Sequence, residues 1–293
     1  MQRGLNRRSV IAGALAASTP LAARAKARWT DGSFLSADGA RIHFRVRGAG
    51  SPVLVVHGAF DRPQDWYPVA DRLADRHRFY LLRRRGWLTP PPDDGSRPYE
   101  REKADIARLL RIAGHGCALF GHSAGGALVA DFARTRQAPA RVILFDPALP
   151  LGGPVAGPRL AVMRRLVGEG RSDDAFRLFL AEIVQLPAAE IDGFAATPGW
   201  RRQASMMPQC LRELSAIDAL PSDPRAYRAI TAPTFLIESE LSPDHPFHDA
   251  IRALAAVLPR CRLLLLRGQG HMGMASAPDQ FANVLEDSLS SAL

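Results

Sequence analysis

Cysteine is scarce in this sequence, with only three among 293 residues: Cys117, Cys210 and Cys261. Three thiols are too few for a disulfide-stabilised scaffold, although Cys210 and Cys261 could pair in an oxidising compartment. None of the three has a histidine or a second cysteine at the spacing of metal ligands, so we expect no metal site. Cys117 lies within an apolar segment and is predicted to be a small buried residue.

Acidic residues are absent from the first 27 positions, whereas five basic residues occur there: Arg3, Arg7, Arg8, Arg24 and Lys26. An apolar run from Val10 to Ala17 follows the basic start, and Ala25 and Ala27 fit a small-residue cleavage site. The adjacent arginines before the run resemble a twin-arginine signal. We therefore predict that residues 1–27 are a signal peptide cleaved after Ala27, and that the rest is exported folded, to the periplasm or outside. The apolar run is too short for a stable membrane anchor.

The basic excess of the chain is small once this segment is set aside. Removing the predicted signal peptide lowers the formal net charge from +9 to about +4. The remaining excess is scattered, apart from the run Arg83, Arg84 and Arg85, and aromatic residues do not interleave with basic ones. A single-strand nucleic-acid surface needs that interleaving, so nucleic acid is not an expected partner and a small-molecule substrate is.

Apolar segments and turn signals alternate along residues 28–148. A predicted hairpin turns at Asp38-Gly39, and "PVLVVHG" reads as a strand buried on both faces. Helical patterns and apolar strands then alternate as far as "RVILFD". This rhythm predicts an α/β fold, with a mostly parallel sheet and helices on both faces.

The alternation stops at Pro147, and residues 149–229 contain helical patterns such as "DAFRLFLAEIVQL" without a convincing strand. We predict that this stretch is an inserted helical cap, in which the flexible apolar side chains of Met206 and Met207 could form a pocket wall. Residues 230–293 return to the core pattern with "PTFLIES", a second buried strand "RLLLLRG" and a helix starting near Pro278.

The pentapeptide G-H-S-A-G, Gly121 to Gly125, lies between a predicted buried strand and a predicted helix. That is the context of a nucleophile turn, because a serine hydroxyl is a weak nucleophile that has to be presented on a tight bend. Gly121 and Gly125 are expected to prevent clashes with the neighbouring strand and helix. Ser123 is therefore the candidate nucleophile, and the N–H of Ala124, which opens the helix, is a candidate oxyanion donor.

A serine nucleophile needs a base, and the chain offers eight histidines: His43, His57, His77, His115, His122, His245, His248 and His271. His271 follows the last predicted strand, in a glycine-flanked loop that opens on the same crevice as Ser123. We predict that His271 is the base. His57 is expected to hold the adjacent turn by side-chain hydrogen bonds, and His122 to pack or to brace a loop.

The motifs "VVHGAF", "GHSAGG" and "RGQGHM", in this order, resemble those of the α/β-hydrolase family, and the resemblance covers nearly all of residues 28–293. It implies an α/β-hydrolase sheet with an inserted cap, no cofactor, and a second oxyanion donor at the N–H of Ala59. A serine at the nucleophile position argues against the family's haloalkane dehalogenase and epoxide hydrolase branches.

The sequence offers more than one candidate for the acid that should orient the histidine. Most members of the family carry it after the strand equivalent to "TFLIES", where this chain has Ser242, with Glu240 and Asp244 on either side. Some members, including pancreatic-type lipases, carry it one strand earlier, in a context similar to "DPA" at Asp146. We predict Asp146, with Glu240 and Asp244 as alternatives, and the lack of any acid remains a further possibility.

These residues predict a serine hydrolase that cleaves an ester-like or other acyl bond of a small to medium, partly apolar substrate through an acyl-enzyme. One alternative is a hydrolase-fold receptor that binds a ligand with little turnover, since Ser242 stands at the usual acid position. Another is the same triad used for acyl transfer, C–C hydrolysis or perhydrolysis.

Overall fold

The computed structural model describes residues 28–85, 98–136 and 139–293, so the predicted signal peptide, residues 1–27, lies outside the described residues. The strands are β1 (Thr30–Leu35), β2 (Arg41–Arg47), β3 (Ser51–Val56), β4 (His77–Leu82), β5 (Ala118–His122), β6 (Arg141–Phe145), β7 (Thr234–Ser239) and β8 (Cys261–Leu266). They form one sheet in the order β1-β2-β4-β3-β5-β6-β7-β8. β1, β2 and β4 pair antiparallel, and all other neighbours pair parallel. The predicted α/β fold with a mostly parallel sheet is confirmed.

Helices connect the strands and cover the sheet. They are α1 (Tyr67–Leu73), α2 (Pro98–Ala113), α3 (Ser123–Thr135), α4 (Arg159–Gly168), α5 (Ser172–Glu182), α6 (Ala188–Ala195), α7 (Gly199–Ala204), α8 (Met207–Asp218), α9 (Asp249–Val257), α10 (Gly273–Ser276) and α11 (Pro278–Ser290). Short turns of 3₁₀-helix occur at Pro63–Trp66 and Pro224–Ala229, and a π-helical turn occurs at Asp244–His248.

Two apolar clusters occupy the two faces of the sheet. In β3, Leu54 and Val56 pack into the cluster shared with α2, α3 and α8, whereas Val53 and Val55 pack into the cluster shared with α1 and α11. Successive strand residues point to opposite faces, so a strand with helices on both sides must be apolar throughout. This explains why "VLVV" does not alternate with polar residues.

The prediction of a buried last strand was wrong for β8. Leu263 is 47% exposed and Leu265 is 39% exposed, although Leu264 and Leu266 pack toward α11. β8 is an edge strand of the sheet, and alternate side chains of a strand face opposite sides. One face of β8 is therefore covered by helix and the other is left partly open.

Between β6 and β7 the described chain is helical, from α4 to the turn at Pro224–Ala229. Met207 is fully buried within this segment and Met206 packs against the same apolar cluster, so neither of these two candidates for a pocket wall lines the cleft beside Ser123. The aromatic side chains of Phe176 and Phe179, one turn apart on α5, line the cleft instead.

All three cysteines of the chain are free. Cys210 is buried on α8, and Cys261 lies on the edge strand β8, so the disulfide that the sequence allowed is not formed. Cys117 is buried, as predicted, and burial raises the pKa of its thiol to about 12. Its thiol is therefore protonated and unreactive at neutral pH.

Arg84, just after β4, connects the core to the helical segment. Its side chain is 1% exposed, and its Nε donates to Glu102 Oε2 of α2 at 2.8 Å. The guanidinium also donates to Glu213 of α8 and, at 3.2 Å, to the carbonyl of His57. One buried cation therefore links a strand end, a core helix and a helix of the inserted segment.

Candidate active site

The serine at the centre of the G-H-S-A-G motif occupies a strained turn. Ser123 is the first residue of α3, directly after β5, and its φ angle is 53°. This left-handed conformation is unfavourable for residues other than glycine and is typical of functional sites. The turn presents Ser123 at the carboxyl end of a central parallel strand, where ligands of such sheets bind.

The two glycines of the motif are required by close backbone contacts. A Cβ atom at Gly125 would lie 2.3 Å from the carbonyl oxygen of His57 and 2.4 Å from that of Val56. A Cβ at Gly121 would lie 2.7 Å from the Gly125 carbonyl oxygen. Real Cβ atoms do not approach oxygen so closely, so the predicted steric role of Gly121 and Gly125 is confirmed.

His271 and Asp146, which are 125 residues apart in sequence, meet at the carboxyl ends of the strands. Asp146 follows β6 and is fully buried, and its Oδ2 lies 3.3 Å from His271 Nδ1. His271 lies in the loop after β8 and is 6% exposed. A carboxylate hydrogen-bonded to Nδ1 holds the imidazole in one orientation and directs Nε2 away from the carboxylate.

The Asp146 carboxylate has two further hydrogen-bond donors, both from the chain around the end of β7. Ser242 Oγ donates to Oδ2 at 2.7 Å, and the backbone N–H of Ser239 donates to Oδ1 at 3.0 Å. Ser242, which stands at the usual acid position of the family, is buried with its side chain against Asp146. Its place at the usual acid position of the family was the signal that could have indicated this contact.

The alternative acids lie elsewhere in the described structure. Glu240 is exposed, and its Oε2 accepts a hydrogen bond from the N–H of Gly268 at 2.6 Å. Asp244 is exposed as well, and its Oδ1 lies 3.0 Å from Arg252 Nη2. Neither carboxylate is brought against His271, whereas Asp146 is.

The environment of Asp146 favours its charged form, whereas the environment of His271 favours its neutral form. Burial acts to raise the pKa of Asp146, but the hydrogen bond and charge of His271, with the bonds from Ser242 and Ser239, outweigh it and hold that pKa below its ordinary value. Burial lowers the pKa of His271, and the bond to Asp146 opposes this only in part. At neutral pH the pair is therefore a carboxylate and a neutral imidazole, and a neutral imidazole can accept a proton.

Neighbouring rings fix the position of His271. The ring of Phe247 stacks on it with centroids 4.0 Å apart. His122 Nε2 lies 3.2 Å from the carbonyl oxygen of His271, and His122 Nδ1 lies 3.0 Å from Asp61 Oδ2. This agrees with the predicted bracing role of His122, but the sequence pattern did not indicate the contributions of Phe247 and Asp61.

His57 also acts as expected, on the turn that carries Ala59. Its Nδ1 lies 2.8 Å from the carbonyl of Gly58, and its Nε2 accepts the backbone N–H of Arg84 at 3.4 Å. Burial, with the charge of Arg84, lowers the pKa of His57 to about 4, so the ring is neutral and can accept that bond. It does not line the cleft.

Ser123 and His271 line one cleft of about 610 Å³, together with Ala59 and the aromatic side chains of Phe176 and Phe179. No hydrogen bond joins the Ser123 hydroxyl to His271 among the residues that the structure describes. Catalytic contacts of this kind often tighten only when substrate is bound.

The two candidate oxyanion donors flank the nucleophile. Ala59, after β3, and Ala124, the second residue of α3, line a small inner cavity together with Ser123. An N–H in the first turn of a helix has no intrahelical partner, so Ala124 can donate to a ligand. The positive end of the helix dipole also favours negative charge there.

Residues 28–85, 98–136 and 139–293 contain no group of three or more side chains suited to holding a metal ion. Over the same ranges, no helix combines the length and apolar character needed to cross a membrane.

A mostly parallel sheet with a serine turn at the end of its fifth strand, and a histidine–carboxylate pair beside it, defines the class of α/β hydrolases. A family model described as "Alpha/beta hydrolase family" matches residues 53–284. The chain belongs to the alpha/beta hydrolase family and is a hydrolase enzyme.

Individual relatives agree with this assignment. An α/β hydrolase from Sphaerobacter thermophilus DSM 20745 is 27% identical, with a TM-score of 0.73, over 88% of this chain and 100% of that one. The esterase RhEst1 from Rhodococcus sp. ECU1013 is 20% identical, with a TM-score of 0.70 over 89% and 98%, and shows the fold alone. A protein named "Putative carbamate hydrolase RutD" from Azorhizobium caulinodans is 32% identical over 104 residues, which are 35% of this chain and 38% of that protein.

Proposed function

We propose that this protein is a serine hydrolase that cleaves an ester-like acyl bond through an acyl-enzyme, with Ser123 as nucleophile, His271 as base and Asp146 as the orienting acid. The observation that carries the proposal is that the buried Asp146 carboxylate holds His271 by Nδ1 in the cleft that Ser123 also lines. A carboxylate in this position removes the main reason for the receptor alternative, which was the serine at the usual acid position.

The proposed reaction gives each of these groups one role. The Ser123 hydroxyl attacks the acyl carbon while His271 Nε2 accepts its proton, and the N–H groups of Ala59 and Ala124 stabilise the oxyanion. His271 then donates that proton to the leaving group as its bond to the acyl carbon breaks. Water attacks the acyl-enzyme with His271 as base again, and the acid product leaves with Ser123 restored.

The cleft indicates the substrate class. Its lining includes the apolar side chains of Phe176, Phe179 and Leu180, and charged residues line it as well: Asp61, Arg62, Asp65 and Glu190. Its volume of about 610 Å³ is in the range of small-molecule sites. We therefore propose a small to medium, partly apolar substrate. The relative named "Putative carbamate hydrolase RutD" is named for hydrolysis of an acyl-type bond, which supports the same class.

A fluorophosphonate probe tests the proposed nucleophile. We expect purified enzyme to gain one covalent adduct, mapped by peptide mass spectrometry to Ser123, because the probe reacts with activated serines. Ser123→Ala should not be labelled, and replacing the exposed loop residue Ser222 with alanine should leave labelling unchanged. An adduct on another serine, or none on the wild-type enzyme, would refute the proposed nucleophile.

The pH dependence of kcat/KM tests the proposed base. Because burial lowers the pKa of His271 below its ordinary value of 6.5, we expect activity to fall on acidification with a midpoint below pH 6.5. Protonation of His271 removes the proton acceptor, so the loss occurs as pH decreases through this pKa. A midpoint above pH 7, measured with a substrate that does not titrate in this range, would contradict the assignment.

A further inference from the structure

The inner cavity beside Ser123 lies between the core and helix α8. Its wall is formed by Ala59, Ser123 and Ala124 on the core side, and on α8 by side chains on one helix face: Cys210, Glu213, Leu214 and Ile217. The other lining residues are apolar, so among the described residues of this wall only Glu213 carries a charge. A charged side chain in an otherwise apolar wall needs a reason.

Glu213 has one oxygen satisfied and one without a partner. Its side chain is only 2% exposed, and Oε1 accepts a hydrogen bond from Arg84. Oε2 is buried and has no hydrogen-bond partner among the described residues. Buried carboxylate oxygens are normally bonded, so an orphan acceptor on a residue that lines a cavity is suited to a donor that the described residues do not supply.

The charges around Arg84 favour the same kind of ligand. This one cation faces two buried carboxylates, Glu102 and Glu213. Burial and the charge of Glu213 raise the pKa of Glu102 to about 7, although Arg84 acts to lower it. Two carboxylates share this one cation, so a hydrogen-bond donor or a second cation beside Glu213 would compensate the unpaired oxygen.

The position of the cavity identifies the part of the substrate that can enter it. His271 lines the outer cleft but not the inner cavity, whereas Ser123 lines both. In the proposed mechanism His271 must reach the leaving group to protonate it, so the leaving group occupies the outer cleft. The acyl group is then directed toward the inner cavity and Glu213.

We propose that the inner cavity is an acyl subsite in which Glu213 Oε2 binds a hydroxyl or amino group on a short acyl chain. The inference rests on the proposed function and specifies its substrate class. The cavity has a volume of about 20 Å³, enough for one water-sized group, so only the terminal hydroxyl or ammonium group enters it, and the chain has to be long enough to reach it from Ser123.

Matched esters test this subsite in the wild-type enzyme. We would compare kcat/KM for ethyl esters of straight-chain acids with three to six carbons in the chain, in which the terminal methyl is replaced by hydroxyl or by ammonium. At one chain length the donor-bearing ester should be favoured at least tenfold over its methyl counterpart, because only the donor satisfies Glu213. No preference at any length would overturn the proposal.

Two variants assign the preference to Glu213. Glu213→Met should remove the preference for both donors, and Glu213→Gln, which keeps an acceptor oxygen without the charge, should reduce the ammonium preference at least tenfold more than the hydroxyl preference. Glu169→Gln, at the exposed end of α4, is the control and should keep the wild-type ratios. A preference that persists in both Glu213 variants would also overturn the proposal.

Replacing Glu213 removes a buried partner of Arg84. If a Glu213 variant does not fold for this reason, the kcat/KM ratios of the wild-type enzyme still decide the question. Different results refute the proposed function and the acyl subsite. Absence of Ser123 labelling refutes the proposed function, whereas Ser123 labelling with turnover of the methyl-ended esters and no donor preference refutes only the acyl subsite.

Discussion

Asp146→Asn should lower kcat about 10⁴-fold, the loss seen when the acid of a serine protease triad becomes an amide. The Asp146 carboxylate accepts the Nδ1 hydrogen of His271 and stabilises the imidazolium that forms when Ser123 is deprotonated. An asparagine amide can present its NH₂ group instead, which would favour the wrong tautomer of His271. Because Ser242 and the N–H of Ser239 donate to the same carboxylate, they also favour its charged form.

The matched variants are Glu240→Gln and Asp244→Asn, which make the same chemical change at the two alternative acids. Both side chains are exposed and bonded elsewhere, so each variant should keep kcat within a few-fold of wild type. Steady-state kinetics with one ester and the three variants decides the question. A large loss in Glu240→Gln or Asp244→Asn, with near-native turnover by Asp146→Asn, would show that the acid is assigned to the wrong strand.

Arg84→Met should lower the free energy of unfolding by about 3–5 kcal/mol, the usual cost of removing one partner from a buried ion pair. The substitution keeps an apolar stem but leaves Glu102 and Glu213 buried without their cation. Urea unfolding at neutral pH, followed by circular dichroism, measures the change. Since Arg84 links α2 to α8, we expect the inserted helical segment to lose its fixed position on the core.

The adjacent residue supplies the control. Arg83 is exposed, so Arg83→Met should change the unfolding free energy by no more than about 0.5 kcal/mol. The loss in Arg84→Met should be smaller at pH 5 than at pH 8. Unpaired buried carboxylates have raised pKa values, so the native state binds protons that the unfolded chain does not, and stability falls as pH rises. Equal losses in both arginine variants would contradict the assigned role of Arg84.

The sheet and the nucleophile turn could be predicted because their signals are local. "VLVV" is apolar throughout because both faces of β3 are covered, and the spacing of Gly121 and Gly125 around Ser123 reflects contacts within a few residues of the turn. His271 could be selected because loops after parallel strands open on one crevice. The apolar pattern failed for the last strand, because the exposure of a strand depends on its neighbours in the sheet. "RLLLLRG" looks like a central strand but lies at the edge of the sheet.

The sequence by itself determined the fold class, the serine turn and the choice of His271. Hydrophobic periodicity, glycine spacing and the order of the motifs can all be read from the sequence without knowing which distant residues meet. Only the tertiary structure brought Asp146 to His271, put Ser242 on the same carboxylate, and buried Arg84 rather than Arg83. These pairings join residues tens to more than a hundred positions apart. They depend on how separate strand ends and helices come together, which no local pattern specifies.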